Sequence, residues 1–321
     1  MPVITQLAAL LRAGKVPSPH VNKLSPDTLV KLIVSRDKIP DAARNHPKGY
    51  IHVSGLIRGD CPRFLSLQKR LKHYPDNRVN GATRIMWKLG RAAEQHVRDQ
   101  LIAALPSEQV WGNWRCHCGK RTREGHSFDK DTCFICGHRA DIYEELDLEN
   151  DTYFVTGHPD FIVFIDGKIY PIEIKSLTNS KSANAKGEGF DSLNGPFVNH
   201  VLQVSCYHRM LMPLSRRLGL PLAEQALVLY VSKDFNGFQV PYPYKEFHVN
   251  PYEYKPQIQT MFEEAKSAYL GAQGMLPQRL NTCANASTKC ASKCSLVHPC
   301  FAAGNGIDLS GKKIVVTRLR E

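Results

Sequence analysis

The sequence lacks any long hydrophobic run, any recognisable leader and any internal repeat. None of its apolar stretches approaches the roughly 18 residues that a membrane-spanning helix needs, so we expect no contact with membranes. The N-terminal stretch MPVITQLAALLRAGK has no basic region before its short apolar run. That pattern is typical of an amphipathic helix rather than of a secretory signal. We therefore expect a cytoplasmic protein, in which cysteines serve as metal ligands or thiols rather than as disulfides.

Acidic residues are in deficit. Against 42 Lys and Arg the chain has 30 Asp and Glu, which gives a formal net charge of +12 over 321 residues. A chain this basic is usually attracted to a polyanion, and nucleic acid is the commonest candidate. A basic surface that serves only solubility is the alternative. The length allows one large domain with insertions or two domains.

Hydrophobic periodicity predicts an α/β protein. Apolar residues recur near every fourth position over 84–105, which indicates an amphipathic helix with Ile85, Leu89, Ala93, Val97 and Leu101 on its apolar face. The further predicted elements are strands at Tyr153–Val155, Phe161–Ile165 and Lys168–Ile174, a helix over 197–218, a strand over 227–232 and a helix over 251–270. This order predicts a mixed central sheet flanked by helices.

One predicted hairpin carries the residues with chemical potential. Asp166-Gly167 separates two apolar runs and is a favoured type I′ turn. A two-residue turn fixes the register and places Asp160 opposite Glu173. Counting back from the turn puts this pair at a non-hydrogen-bonded position, where Cβ atoms approach to about 4.5–5.5 Å. Lys175 lies two residues past Glu173 and therefore points to the same face.

Two facing carboxylates beside a lysine favour a metal site. Like charges opposite each other destabilise a sheet unless a cation lies between them. A hard divalent ion such as Mg²⁺ prefers oxygen ligands of this kind. It would polarise a phosphodiester and activate a water, with Lys175 orienting that water or stabilising the developing charge. A charged hairpin exposed to solvent, without chemistry, is the alternative.

Three segments in this order resemble a known superfamily. Asp160 followed by the segment 173–175 (EIK) resembles the PD-(D/E)XK nuclease signature. Upstream, the segment 90–94 (GRAAE) resembles the GxxxH or GxxxE helix of its RecB-like branch. Downstream, the segment 203–207 (QVSCY) resembles the QxxxY motif of that branch. The resemblance covers roughly residues 50–300.

The resemblance implies a restriction-endonuclease-like core and a Mg²⁺- or Mn²⁺-dependent deoxyribonuclease. The activity it implies is that of an exonuclease on single-stranded DNA or DNA ends, in recombination, repair or DNA-end processing. The residues it implies are Asp160, Glu173, the Ile174 carbonyl and Glu94 for the metal, Lys175 with these acids for catalysis, and Gln203 and Tyr207 for positioning DNA.

His96 is a second candidate for the upstream ligand. It follows Glu94 by two residues, and residues i and i+2 point in different directions on a helix. We therefore expect Glu94 rather than His96 at the divalent ion.

Five cysteines stand in a second arrangement. Cys61 lies alone in a CPR context, and Cys283, Cys290, Cys294 and Cys300 are close together near the end of the chain. This resembles the iron–sulfur RecB-like nucleases (AddB-type subunits and CRISPR-associated adaptation exonucleases), in which one early cysteine joins three late ones around a [4Fe–4S] cluster. The resemblance implies Cys61, Cys294 and Cys300 as ligands, with Cys283 and Cys290 competing for the last place. A zinc site of the four late cysteines is the alternative.

Four more cysteines predict a zinc site. Cys116-x-Cys118 and Cys133-x2-Cys136 are each followed by glycine and look like two zinc knuckles. Four thiolates are expected to hold one tetrahedral Zn²⁺. The basic residues around them could contact phosphates, or the zinc could serve only to fold an insertion too small for its own core.

The expected organisation follows from these segments. We expect an N-terminal helical segment (1–50), a RecB-like core (51–280) with a zinc-binding insertion (112–140), an iron–sulfur clasp segment (281–301) and a tail (302–321). The expected partner is DNA, in a prokaryotic or phage-infected cell. Two alternatives stay open: a DNA-end-binding subunit of a recombination, replication or CRISPR-type complex, or an endonuclease or ribonuclease with the same core.

Overall fold

The structure is a computed structural model that describes residues 48–71, 81–119, 122–126, 132–133, 135–179, 189–234, 242–283 and 294–303. The helices expected before residue 48, the C-terminal tail and Cys290 lie outside the described residues. The chain divides into two units, one of residues 1–43 and 80–85, the other of residues 44–79 and 86–321. Apart from residues 81–85, the features below belong to the second unit.

Along the described residues one short strand is followed by three helices, seven strands, two helices, two strands and two helices. The helices are α1 (Val53–Ile57), α2 (Pro62–Arg70), α3 (Gly81–Ala104), α4 (Val198–Met210), α5 (Met212–Leu218), α6 (Lys255–Gln273) and α7 (Val297–Ala302). The strands are β1 (Ile51–His52), β2 (Val110–Cys116), β3 (Thr122–His126), β4 (Ala140–Glu144), β5 (Leu148–Asn150), β6 (Val155–Gly157), β7 (Phe161–Ile165), β8 (Lys168–Leu177), β9 (Ala226–Ser232) and β10 (Tyr244–Val249). Short 3-10 helices cover Ser107–Gln109, Pro251–Tyr254 and Asn281–Cys283.

The strands form two sheets. The larger has seven strands in the order β10-β9-β8-β7-β2-β3, with β4 also paired to β2. Its strands are antiparallel except for the β8–β9 pair, which is parallel. The smaller sheet has the order β1-β6-β5, and β1 runs parallel to β6. The expectation of an α/β protein with mixed sheets and helices is confirmed. None of the described helices combines the length and apolar character that crossing a bilayer demands.

The β7–β8 hairpin has the predicted register. Asp166 and Gly167 have φ values of 49° and 70°, both positive as a type I′ turn requires. The ladder ends where Phe161 pairs with Ile172. Asp160 is the next residue in this register, so the turn chemistry alone predicts its position correctly.

Two predicted elements differ from the observed ones. The single helix predicted over 197–218 is two helices, because Pro213 stands in the first turn of α5 and cannot donate the N–H that would continue α4. The strand predicted at Tyr153–Val155 begins only at Val155. Phe154, with a φ of 55°, belongs to the turn before it.

Candidate active site

Asp160, Glu173 and Lys175 meet where the β7–β8 ladder ends. The Ile174 N–H donates to Asp160 Oδ2 at 2.7 Å, so the backbone between Glu173 and Lys175 orients the Asp160 carboxylate. The Lys175 ammonium forms a close ion pair with Glu173, and its Nζ lies 3.9 Å from Asp160 Oδ2. The hairpin therefore brings two carboxylates and one ammonium into a single site.

The Glu173 carboxylate is the least satisfied group of this site. The residue is 0% exposed, and among the described residues neither of its oxygens has a hydrogen-bond partner of good geometry. Burial raises the pKa of Glu173 well above its ordinary value, and Asp160 raises it further, while Lys175 acts in the opposite direction. Buried carboxylates are normally paired or bind metal. This carboxylate therefore fits a divalent cation held together with Asp160.

Burial and neighbouring charges also change the pKa values of Asp160 and Lys175. Burial raises the pKa of Asp160, although Lys175 opposes this. Burial lowers the pKa of Lys175, but the charges of Glu173 and Asp160 outweigh it, so that the pKa lies above its usual range. Lys175 thus keeps its proton and acts as a fixed positive charge.

Helix α3 brings Glu94 to the hairpin. It approaches β8 at Gly90, where an added Cβ would lie 2.9 Å from Ser176 Oγ. One turn later, the Ser176 hydroxyl donates to Glu94 Oε1 at 3.4 Å. Burial raises the pKa of Glu94, Lys175 lowers it and Asp160 raises it. His96 is exposed, so the structure brings Glu94 towards the hairpin acids and leaves His96 on the outer surface of the helix.

Arg98 is a site residue that the sequence analysis missed. Its guanidinium forms an ion pair with Glu145, and Nη1 lies 3.9 Å from Asp160 Oδ1. Arg98 therefore approaches one oxygen of the Asp160 carboxylate while the Ile174 N–H donates to the other. The four-residue spacing from Glu94 to Arg98 was an available signal, because residues four apart share a helix face.

Gln203 and Tyr207 of α4 form a hydrogen-bonded pair. Gln203 Nε2 donates to the Tyr207 hydroxyl at 3.0 Å. Tyr207 is 1% exposed, and burial raises its pKa, as does the charge of Glu173. Gly157 leaves room for its ring, since an added Cβ would lie 2.6 Å from Tyr207 Cε1. The helix of the predicted QxxxY segment thus faces the hairpin.

Gly157→Ala is expected to displace Tyr207. The added methyl would also lie 3.1 Å from Val53 Cγ2, so neither neighbour can yield freely, and overpacking of this kind costs about 1–3 kcal/mol. Urea unfolding checks this, with Gly195→Ala as control because nothing lies within 4 Å of an added Cβ there. Equal stability of the two variants would contradict the close packing.

His200 is the second residue that the sequence analysis missed. It precedes Gln203 by three residues and shares its helix face. Its Nδ1 lies 2.8 Å from the Tyr230 hydroxyl, which accepts the Phe197 N–H at 3.0 Å. Tyr230 pairs with Lys175 across the β8–β9 ladder. Burial, and then the Lys175 charge, lower the pKa of His200 to about 3, so His200 is a neutral neighbour of the lysine.

His200 is expected to make the protein less stable as the pH falls. An ordinary histidine in the unfolded chain binds a proton below about pH 6.5, whereas folded His200 stays neutral down to about 3. Between these pH values the unfolded state binds more protons than the folded state. The free energy of unfolding therefore falls by up to ~1.4 kcal/mol for each unit by which the pH is lowered. Urea unfolding at pH 7 and pH 5 should show a smaller loss in His200→Asn than in the unchanged protein. The same loss in both proteins would show that His200 is not the cause.

Cysteines from the two ends of the described chain line one pocket. Its walls include Cys61, Cys283, Cys294 and Cys300. Cys61 caps α2, and its Sγ accepts the Phe64 N–H at 3.3 Å. Of the predicted ligands only Cys290 lies outside the described residues. Four of the five cysteines that the family resemblance implies therefore surround a single cavity.

Arg63 connects the start of α2, two residues after Cys61, to Cys300. It is 1% exposed, and its Nε donates to Cys300 Sγ at 3.2 Å. Its two terminal nitrogens donate to the carbonyls of Pro277 at 2.7 Å and Cys300 at 3.0 Å. The thiolate is the form of cysteine that ligates metal, and the cavity is lined by the sulfur-bearing residues Cys61, Cys283, Cys294 and Cys300. The donor set therefore fits a thiolate-bound cluster.

The second cysteine group lies at the end of β2. The sulfurs of Cys116, Cys118, Cys133 and Cys136 all lie within 4.8 Å of one another. Individual separations are 2.9 Å from Cys116 to Cys136, 3.5 Å from Cys116 to Cys118 and 3.8 Å from Cys118 to Cys133. A tetrahedron of 2.3 Å zinc–sulfur bonds requires about 3.8 Å. The prediction that these four residues can hold a metal ion is confirmed.

Cys133→Ser is expected to remove one equivalent of zinc from the protein. Cys133 is 0% exposed, and a hydroxyl at this position replaces a strong thiolate ligand by a poor one. Elemental analysis of the purified variant checks this, with Cys61→Ser as the control that should lose iron but keep zinc. A Cys133→Ser protein with a full zinc content would show that the group binds no zinc.

No family model matches the chain, and a search of curated proteins finds none similar to it. No disulfide joins the cysteines that the structure describes. Function is therefore inferred from the residues themselves.

Proposed function

We propose that the protein is a metal-dependent deoxyribonuclease with the restriction-endonuclease-like core of the RecB-like PD-(D/E)XK branch. Its preferred substrate is single-stranded DNA or a DNA end, which it degrades as an exonuclease in a prokaryotic or phage-infected cell. The observation that carries the proposal is the fully buried Glu173 carboxylate, to which the described residues offer the Lys175 ion pair but no hydrogen bond of good geometry.

Four groups of the chain would hold the metal. They are the carboxylates of Asp160, Glu173 and Glu94 and the carbonyl of Ile174. Bound there, Mg²⁺ or Mn²⁺ supplies a Lewis acid for the phosphodiester and lowers the pKa of a coordinated water. Arg98 and the Ile174 N–H keep Asp160 oriented for this task.

Lys175 has a separate role. Its raised pKa keeps it charged at neutral pH, so it donates hydrogen bonds to a phosphoryl oxygen or to the attacking water. Gln203 and Tyr207 lie on the helix that faces this lysine and position the DNA strand. The net charge of +12 supports a polyanionic substrate.

The cysteine groups supply two structural centres. Cys61, Cys294 and Cys300, with Cys283 or Cys290, would hold a [4Fe–4S] cluster that clasps the start of α2 to the end of the chain. Cys116, Cys118, Cys133 and Cys136 would hold Zn²⁺. The Arg63–Cys300 contact supports the first assignment, and the sulfur separations support the second.

Cleavage of labelled DNA tests the proposal. Protein purified without oxygen is incubated with single-stranded and blunt duplex DNA, labelled at either end, in Mg²⁺, Mn²⁺ or EDTA. We expect progressive shortening with metal and none in EDTA. Internal fragments or RNA cleavage would instead indicate an endonuclease or ribonuclease. Binding without cleavage in any metal would assign the chain to DNA-end binding within a larger complex.

A further inference from the structure

Helix α3 carries exposed apolar side chains that the proposed chemistry does not use. Met86 is 45% exposed, Trp87 55% and Leu89 54%. The sequence has three tryptophans, and the other two, Trp111 and Trp114, are only 8% and 2% exposed. Tryptophan is highly buried on average in folded proteins, so an indole that is more than half exposed is available to a binding partner.

Trp87 lies on the side of α3 that approaches the hairpin. It precedes Glu94 by seven residues, and at 3.6 residues per turn this separation is nearly two full turns, so the two side chains leave the helix in almost the same direction. At 1.5 Å per residue their Cα atoms are about 10 Å apart along the axis. Gly90, midway between them, touches Ser176 of β8. The indole therefore lies beyond the acidic site, on the face that leads to it.

The surroundings of the indole suit nucleic acid. Lys88 and Arg91, its neighbours along and around the helix, are both exposed. An aromatic ring among cationic side chains is the usual platform for a single strand, because the ring stacks on a base while the cations face the phosphates. A base inside a duplex already stacks on its neighbours and offers no free face.

We propose that Trp87 stacks on an unpaired base of the strand that enters the site and so gives the protein its preference for single-stranded DNA. At about 3.4 Å per nucleotide of a stacked strand, the separation of Trp87 from Glu94 places the base about three nucleotides from the phosphate that is cut. The inference rests on the proposed nuclease function, because the acidic site that includes Glu94 defines where the strand is cut. It assigns Trp87 to positioning the substrate and not to catalysis.

Tryptophan fluorescence tests the stacking directly. Oligo(dT) and a blunt duplex are titrated in EDTA, where metal-dependent cleavage does not occur, into the unchanged protein, Trp87→Ala, Trp87→Phe and Tyr252→Ala. Tyr252 is 56% exposed and is the matched control aromatic. We expect quenching by oligo(dT) in the unchanged protein and in Tyr252→Ala, and its loss in both Trp87 variants. Affinity for oligo(dT), measured by anisotropy of a labelled strand, should fall about 5- to 100-fold in Trp87→Ala. Trp87→Phe should keep most of the affinity for oligo(dT), and the affinity of both variants for the duplex should be unchanged.

Several outcomes would overturn the proposal. The first is equal oligo(dT) affinity in Trp87→Ala and the unchanged protein. The second is a loss of affinity in Trp87→Ala that is equal for duplex and single strand. The third is a change in the oligomeric state of Trp87→Ala without a change in DNA binding, which would make the surface around Trp87 a protein interface. Thermal melting of each variant shows that the fold is kept. Quenching without any cleavage in metal would preserve the stacking and reject the nuclease, whereas cleavage without quenching would reject the stacking alone.

Discussion

Lys175→Met is expected to abolish DNA cleavage and to destabilise the protein when no divalent metal is present. Methionine keeps the apolar stem but removes the positive charge that pairs with Glu173 and lies 3.9 Å from Asp160. Removing one partner of a buried ion pair leaves the other uncompensated, at a cost of about 3–5 kcal/mol. Loss of a charge that stabilises the transition state typically lowers the rate by about 10²–10³.

Divalent ions should separate the two effects of this substitution. If Asp160 and Glu173 hold a cation, Mn²⁺ replaces the missing charge and restores much of the stability, but it does not restore cleavage. Thermal unfolding in EDTA and in Mn²⁺ measures the first effect, and end-labelled DNA measures the second. A Lys175→Met protein as stable in EDTA as the unchanged one would show that the pair does not hold the site together. Full cleavage would show that Lys175 is not catalytic.

Cys61→Ser is expected to remove the iron and the visible absorption of the cluster. It should also lower the free energy of unfolding more than any surface substitution does. Cys61 caps α2, whose first turn carries the buried Arg63 that contacts Cys300. A cross-link between segments so far apart in sequence removes much of the entropy of the unfolded chain, about 4 kcal/mol or more for loops beyond 100 residues. Iron content, the visible spectrum and urea unfolding of anaerobically purified protein are the measurements.

Cys206→Ala provides the matched control for the clasp. This cysteine is 0% exposed in α4, and burial raises its pKa to about 12, so it remains a thiol and serves as a small apolar side chain. Its replacement should keep the iron and cost only about 1–2 kcal/mol. A Cys61→Ser protein that keeps its colour and iron would contradict the assignment of Cys61 as a cluster ligand.

The hairpin was predictable because its determinants are local. Asp166-Gly167 fixes the turn, the turn fixes the register, and the register places Asp160 beside Glu173 without any tertiary information. The four-cysteine site was equally accessible to prediction, because closely spaced pairs such as Cys133 and Cys136 already limit the ligand geometry. In both cases few residues separate the groups that must meet.

Contacts between distant segments were not predictable in the same way. Arg98 contacts Glu145 and Asp160 through the packing of α3 on the sheet, which periodicity does not specify. His200 meets Tyr230 only because α4 lies on β9. For Cys61, the partners could be anticipated only from a family resemblance.

Helical periodicity was also misleading at one end of α3. It assigned Leu89 to the buried face, yet Leu89 is 54% exposed, whereas Val97 of the same stripe is 3% exposed. The pattern identifies the helix and its apolar side correctly, but it does not show where along the helix the sheet stops covering that side. The uncovered end is where Trp87 lies.

Glu173→Gln tests the central claim most directly, because it changes one atom of the carboxylate and nearly preserves its shape. The unchanged protein should bind Mn²⁺ and shorten end-labelled single-stranded DNA in its presence. The variant should keep the same circular dichroism spectrum, bind Mn²⁺ far more weakly and fail to cut. If Glu173→Gln cleaves DNA at the rate of the unchanged protein, the site formed by Asp160, Glu173 and Lys175 is not the nuclease centre.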